Sequence, residues 1–235
     1  MTATSQRVLI WMGLAMSMIW FGAYALLMGF FPPPPPSMPA VQVVELYTQH
    51  ITQFRIGVVL TLVFCGFNLP WGVVFSVQLA RREKGVPIWA IMQGLASVLS
   101  TVLFFLPPIF WAVAACSPER DPAITLLMHE LAFLTFLTPI GAFPLQLMPI
   151  VVVALTRQDK DDEAFPRWVG WLSLWVMVAA EPAVVAVMFK AGPFAWNNLF
   201  PFWVPIGIFG PWMGALIYTL LRAIKRQEQM AMAVK

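Results

Sequence analysis

Six predominantly apolar runs of 20 residues or more, separated by short polar or Pro/Gly-rich breaks, dominate this chain of 235 residues. They occupy 8–31, 56–80, 88–116, 124–155, 168–189 and 202–221. A helix needs about 20 apolar residues to cross a hydrocarbon core of roughly 30 Å, so each run is long enough to span a bilayer. The third and fourth are long enough to tilt or to project beyond it. The runs are continuous and do not alternate with a period of two, which excludes a transmembrane β-barrel. In lipid, only helices are then left to satisfy the backbone. Composition agrees. Hydrophobic residues make up 60% of the chain and charged residues 11%, against about 25% charged in soluble domains. A water-soluble globule could not cover its surface with so few polar groups. The predicted fold is an all-α polytopic transmembrane helical bundle of six spans, forming one transmembrane domain over residues 1–235.

The basic residues set the predicted orientation. With the N-terminus inside, the inner side holds Arg7, Arg81, Arg82, Lys84, Arg157, Lys160, Arg167, Arg222, Lys225, Arg226 and Lys235. The outer side holds only Arg55, Arg120 and Lys190. Eleven against three predicts both termini in the cytoplasm by the positive-inside rule. The net charge of +3 belongs to this asymmetry and to anionic lipid headgroups; the chain carries no nucleic-acid-binding pattern. Arg7 followed by an apolar run, with Ala23-Tyr24-Ala25 further on, has some character of a signal peptide. The run continues past that site and is longer than the 7–15 residues usual for a signal core, so an uncleaved first span is expected.

One connection is long, between the first two spans. Its prolines at 32–36 predict a short polyproline II rod. Ser37 is then a candidate helix cap, with Pro39 in the first turn. Ala40, Val44, Tyr47, Ile51 and Phe54 follow at spacings of four and three, a single apolar stripe. Residues 39–54 therefore read either as a short amphipathic helix over the outer end of the bundle or as the start of span two after a bend. Trp11, Trp20, Trp89, Trp111, Trp168, Trp171, Trp196, Trp203 and Trp212 cluster near span ends, where indoles form interfacial belts; a groove for an aromatic or sterol-like ligand is the competing reading. Prolines inside the spans, among them Pro70, Pro107, Pro108, Pro139, Pro144, Pro149, Pro182, Pro205 and Pro211, each remove a backbone hydrogen bond. Span four carries three and is expected to be broken or strongly bent. Interrupted spans often mark the substrate site of a transporter. Gly207, Gly210 and Gly214 make one smooth face on span six, suited to close helix packing and to a partner protein or a second copy.

Ionisable and amide groups inside spans are costly, so each calls for an explanation. Glu181 lies about 20 Å along span five by helical rise, near the bilayer midplane. Asn68 in span two and Gln146 in span four stand at similar depth, and Gln93 lies in span three. Together Glu181, Asn68 and Gln146 could line one polar cavity, where a protonatable acid is what a proton-coupled carrier needs. The plainer alternative is that Glu181 bonds an amide or a carbonyl freed by a proline and stabilises the bundle. His129 and Glu130 lie nearer the outer side. With Glu45 and His50 they invite a metal reading, but a catalytic zinc site needs three well-placed ligands, and neither HExxH nor similar spacing occurs. Adjacent helical residues point about 100° apart, so His129 and Glu130 need not share a site, and a salt bridge from Glu130 to Arg55 is equally plausible. Neither cofactor nor metal is expected.

Nucleophile machinery is missing. No GxSxG occurs, the serines of the spans have no histidine at matching depth, and no phosphate-cradling glycine loop is present. The acidic run Asp159, Asp161, Asp162 and Glu163 reads as a solvated connector. Cys65 and Cys116 lie far apart and read as free thiols. The segments FPRWVG at 165–170 and GPFAWNN at 192–198 resemble those of a group of bacterial six-span integral membrane proteins without an assigned function. The resemblance extends through the Pro-rich first loop and the stretches 81–85 and 114–122. It implies six spans and a bacterial inner (cytoplasmic) membrane, and it carries no site residues. Two functional classes follow. One is a non-enzymatic bundle that binds or moves a small lipophilic molecule, or serves as an accessory subunit of a membrane complex. The other is a membrane-embedded enzyme with a site near His129 and Glu130 at the outer face. Candidate ligand-binding residues are Glu181, Asn68, Gln146, Glu130 and His129.

Overall fold

The computed structural model describes residues 2–156 and 164–233. Among these the chain is helical, with no strand, and six helical stretches are long and apolar enough to cross a membrane. They are Ala3–Leu27, Ile51–Ala80, Ile88–Cys116, Pro122–Thr156, Arg167–Met188 and Leu199–Ala233. The chain is an all-α, multi-pass membrane bundle. The acidic connector at 159–163 and the basic residues Arg157, Lys160 and Lys235 lie outside the described residues.

Consecutive spans pack side by side, and the sixth returns to the first, so the bundle closes in chain order. The first span is α1 (Ala3–Gly22), continued by a π-helical turn, Ala23–Leu27. Thr2 caps α1 by accepting from the Ser5 N–H at 3.1 Å, so the helix starts before the apolar run does. It stops at Gly29, whose φ of 70° is open to glycine without strain. The carbonyls of Leu26 and Leu27, left over at this end, accept from Gln53 Nε2 at 3.2 and 3.3 Å.

Between the first two spans, α2 (Ala40–Thr48) is a separate helix, parted from α3 (Ile51–Val63) by a turn at Gln49 and His50. It lies across the end of the bundle, against α6 (Pro122–Leu137) and α3. The buried stripe is centred on Val43 and Tyr47, with Phe54 continuing it in α3. Ser37 does not cap α2. It sits in a turn closed by the Met38 N–H on the Pro35 carbonyl, and Pro39 precedes the first helical residue. We call this the capped end, and the end that carries both termini the terminal end.

Three spans depart from regular α-helix near mid-height. The second breaks at 64–67 between α3 and α4 (Asn68–Ala80). The fourth breaks at 138–141 between α6 and α7 (Ala142–Thr156), at Pro139, while Pro149 is accommodated within α7. The fifth begins as α8 (Arg167–Ala180) and tightens at Pro182 into a 3-10 helix, Glu181–Met188. By contrast α5 (Ile88–Cys116) runs unbroken through Pro107 and Pro108.

The sixth span opens with a π turn, Leu199–Trp203, and continues as α9 (Val204–Ala233). It outruns its apolar stretch because nothing from Arg222 onward stops a helix: the segment is rich in Arg, Lys, Gln, Glu, Ala and Met. That extension reaches the first two spans. Gln78 Nε2 donates to Gln6 Oε1 at 2.6 Å and to Gln227 Oε1 at 3.3 Å, and Gln227 Nε2 donates back to Gln78 Oε1 at 3.0 Å. Arg7 pairs with Glu228 beside them. Gly207, Gly210 and Gly214 face outward, with open space beyond each Cα.

Burial corrects the belt expectation for part of the tryptophans. Trp11, Trp168, Trp171 and Trp203 are exposed, as residues facing lipid would be. Trp20, Trp111, Trp196 and Trp212 are buried among the helices instead. Indole is large and mostly apolar, so it fills an interior as readily as it anchors an interface.

Candidate functional site

At mid-height the structure joins two of the polar residues singled out from sequence. Asn68 opens α4 directly after the break in span two, and Gln146 lies early in α7 after the break in span four. Their side chains bond reciprocally. Gln146 Nε2 donates to Asn68 Oδ1 at 3.2 Å, and Asn68 Nδ2 lies 3.5 Å from Gln146 Oε1. Asn68 Nδ2 also donates to the Ser97 carbonyl of α5 at 3.2 Å, and Gln146 Nε2 reaches Ser97 Oγ at 3.4 Å. Gln93 Nε2 comes to Ser97 Oγ at 3.4 Å from one turn earlier in α5. Asn68, Gln93, Ser97 and Gln146 are all buried, and they tie three spans together. Gln93 Oε1 alone has no partner. Gly72 makes the contact possible, since a Cβ there would overlap Ser97 Oγ and Cβ.

Glu181 stands at the third irregularity, where α8 becomes the 3-10 helix. Its Oε1 is buried without a hydrogen-bond partner, and it joins none of the three amides.

His129 and Glu130 diverge. Glu130 pairs with Lys190 at 3.3 Å. The expected salt bridge to Arg55 does not form: Arg55 donates to the Ala115 carbonyl at 2.9–3.0 Å and to that of Cys116 at 3.1 Å. A cation there satisfies carbonyls that the helix end leaves free and faces the negative end of the helix dipole. His129 turns inward and is buried. Its Nδ1 is 3.0 Å from Tyr47 Oη of the cap helix, and its Nε2 has no partner. Burial pushes the Tyr47 phenol well above its ordinary value, so the hydroxyl keeps its proton. His50 is exposed at the turn before α3. Among the described residues, no three His, Cys, Asp or Glu side chains come together as metal ligands would.

Around His129 lies an aromatic interior that sequence reasoning did not assemble. Phe30, Phe133, Tyr47 and Trp196 all have rings within 6.3 Å of the imidazole. The network continues through Trp111 to Tyr24 and Trp20. Trp20 Nε1, Tyr24 Oη and Trp111 Nε1 are buried and unpartnered. Leaving a buried polar group unsatisfied costs about 1–3 kcal/mol, so their concentration in one place needs a reason. The hint available in sequence was weak. Tyr24 is one of three tyrosines in the chain, and Trp20 and Trp111 sit near span ends, where a belt explains them equally well.

No family model, curated protein or solved structure matches this chain. The buried polar groups of the candidate site fall into the amide cluster at mid-height, a separate Glu181, and the aromatic network under the cap.

Proposed function

We propose that this membrane bundle binds a small lipophilic molecule within its interior and moves it, or presents it, along the bundle axis. The observation that carries the reading is the interruption of three spans near their middle, with Asn68, Gln146 and Glu181 at or close to the three irregularities. Non-helical backbone at membrane depth is tolerated where protein buries it or a cavity hydrates it, and half-helices of this kind build substrate sites in carriers. In this reading Glu181 is the group that meets the ligand or a proton, Asn68 and Gln146 hold the broken spans in register, and α2 closes the outer mouth. The separate partners of His129 and Glu130 support a binding bundle over an enzyme that uses that pair. The basic residues support both ends in the cytoplasm, the resemblance of 165–170 and 192–198 supports a bacterial inner membrane, and the open face of Gly207, Gly210 and Gly214 supports packing against a second copy.

Organic extraction of the detergent-purified protein, followed by mass spectrometry, tests the reading. One lipophilic species near unit stoichiometry is expected, with less of it retained by Glu181→Gln. Recovery of nothing but phospholipid in bulk-membrane proportions overturns the proposal. If Glu181→Gln changes neither the bound lipophile nor the melting temperature, Glu181 has no part in it.

A further inference from the structure

We infer that the aromatic interior under the cap is a binding site for an uncharged ring compound bearing carbonyl oxygens, held by the Trp20 and Trp111 indoles and the Tyr24 hydroxyl. Five tryptophans are buried in the bundle, and three of them use their N–H. Trp71 donates to the Ile10 carbonyl at 3.1 Å, Trp196 to the Pro34 carbonyl at 2.6 Å, and Trp212 to Ser173 Oγ at 2.9 Å. The two that do not are Trp20 and Trp111. Both touch Tyr24, with ring centroids at 5.7 and 5.6 Å, and Tyr24 Oη is unpartnered as well. Both buried indoles that leave their N–H unused thus meet at one residue, whose own hydroxyl is unused too.

Tyr24 carries a second, independent mark. It lies in the π-helical turn Ala23–Leu27, and such turns recur at functional sites. No proline lies within this turn, unlike the irregularities of spans four and five.

The donor set specifies the ligand class. Indole N–H groups donate and never accept, so the complementary atoms are acceptor oxygens. The ring contacts of these three residues are with one another and with Phe21, Phe30, Phe67, Phe104, Phe133 and Phe136, and they include no cation–π pair. Such walls suit a flat, neutral molecule and give a charged one nothing to pair with. The inference rests on the reading of the bundle as a lipophile binder and names a site and a ligand class within it.

The test is equilibrium binding of menadione, a naphthoquinone with two carbonyl oxygens, to the full-length protein in lipid nanodiscs, with empty nanodiscs subtracted. Methylnaphthalene, its hydrocarbon counterpart, is the control. One saturable menadione site is expected, with no saturable binding of methylnaphthalene. Tyr24→Phe should weaken menadione binding about three- to tenfold, the worth of one hydrogen bond. The same substitution should leave the melting temperature of the empty protein unchanged or raise it, because it removes a buried hydroxyl that has no partner. Equal binding of quinone and hydrocarbon, menadione uptake no greater than in empty nanodiscs, or full affinity in Tyr24→Phe each overturns the inference. A lipophile that still co-purifies at unit stoichiometry in those cases leaves the broader function standing.

Discussion

A Cβ on Gly72 would overlap the Ser97 side chain, so Gly72→Ala has to push α4 away from α5 at the height where the amides meet. Overpacking of this kind costs about 1–3 kcal/mol. The melting temperature in detergent should fall, and Ser97→Gly in the same chain should restore part of it; no fall would mean the two helices are less closely packed than described. Tyr47 gives a second expectation at this scale. Tyr47→Phe leaves both nitrogens of His129 without partners, which should destabilise the capped end by about 1–3 kcal/mol, read as faster amide exchange in α2. The Glu130–Lys190 pair is different, since the lysine is largely exposed, and Lys190→Ala should shift stability by less than about 1 kcal/mol. Polar residues in apolar runs are conspicuous in a sequence, which is why Asn68 and Gln146 could be singled out before their contact was known. Trp20 and Trp111 stand only among nine tryptophans with a belt and a ligand groove as rival readings, because an aromatic near a span end has the same sequence signature whether it faces lipid or the interior.

Among the elements, the span boundaries at Ala80, Ile88 and Cys116 coincide with the ends of the apolar runs, where Arg81, Pro87 and Ser117 adjoin them. A boundary was not legible where a helix continued on polar residues, as α9 does past Arg222. The break in span four follows from Pro139, and the tightening of span five accompanies Pro182. The break at 64–67 contains Gly66 and lies one turn before Pro70, which has no N–H for the Gly66 carbonyl. The cap helix was half legible: its apolar stripe showed in the spacing, but its separation from span two depends on the turn at His50. Arg55 closes the C-terminal end of α5, so Arg55→Ala should lower stability by about 0.3–1 kcal/mol, with fraying confined to the last turn of α5 in hydrogen exchange. A change spread over the whole bundle would argue against that local role.

Across the whole molecule, the closing contact is made by α1, α4 and α9 through Gln6, Gln78 and Gln227, with Arg7 and Glu228 alongside. That closure requires both termini at one end, and hence an even number of crossings. Site-directed labelling with a membrane-impermeant maleimide tests this most directly, after Cys65→Ala and Cys116→Ala remove the native thiols. In intact cells Glu119→Cys should react, whereas Thr4→Cys and Gln229→Cys should stay protected until the membrane is permeabilised. Reaction of Thr4→Cys and Gln229→Cys from opposite sides would contradict the six-span bundle.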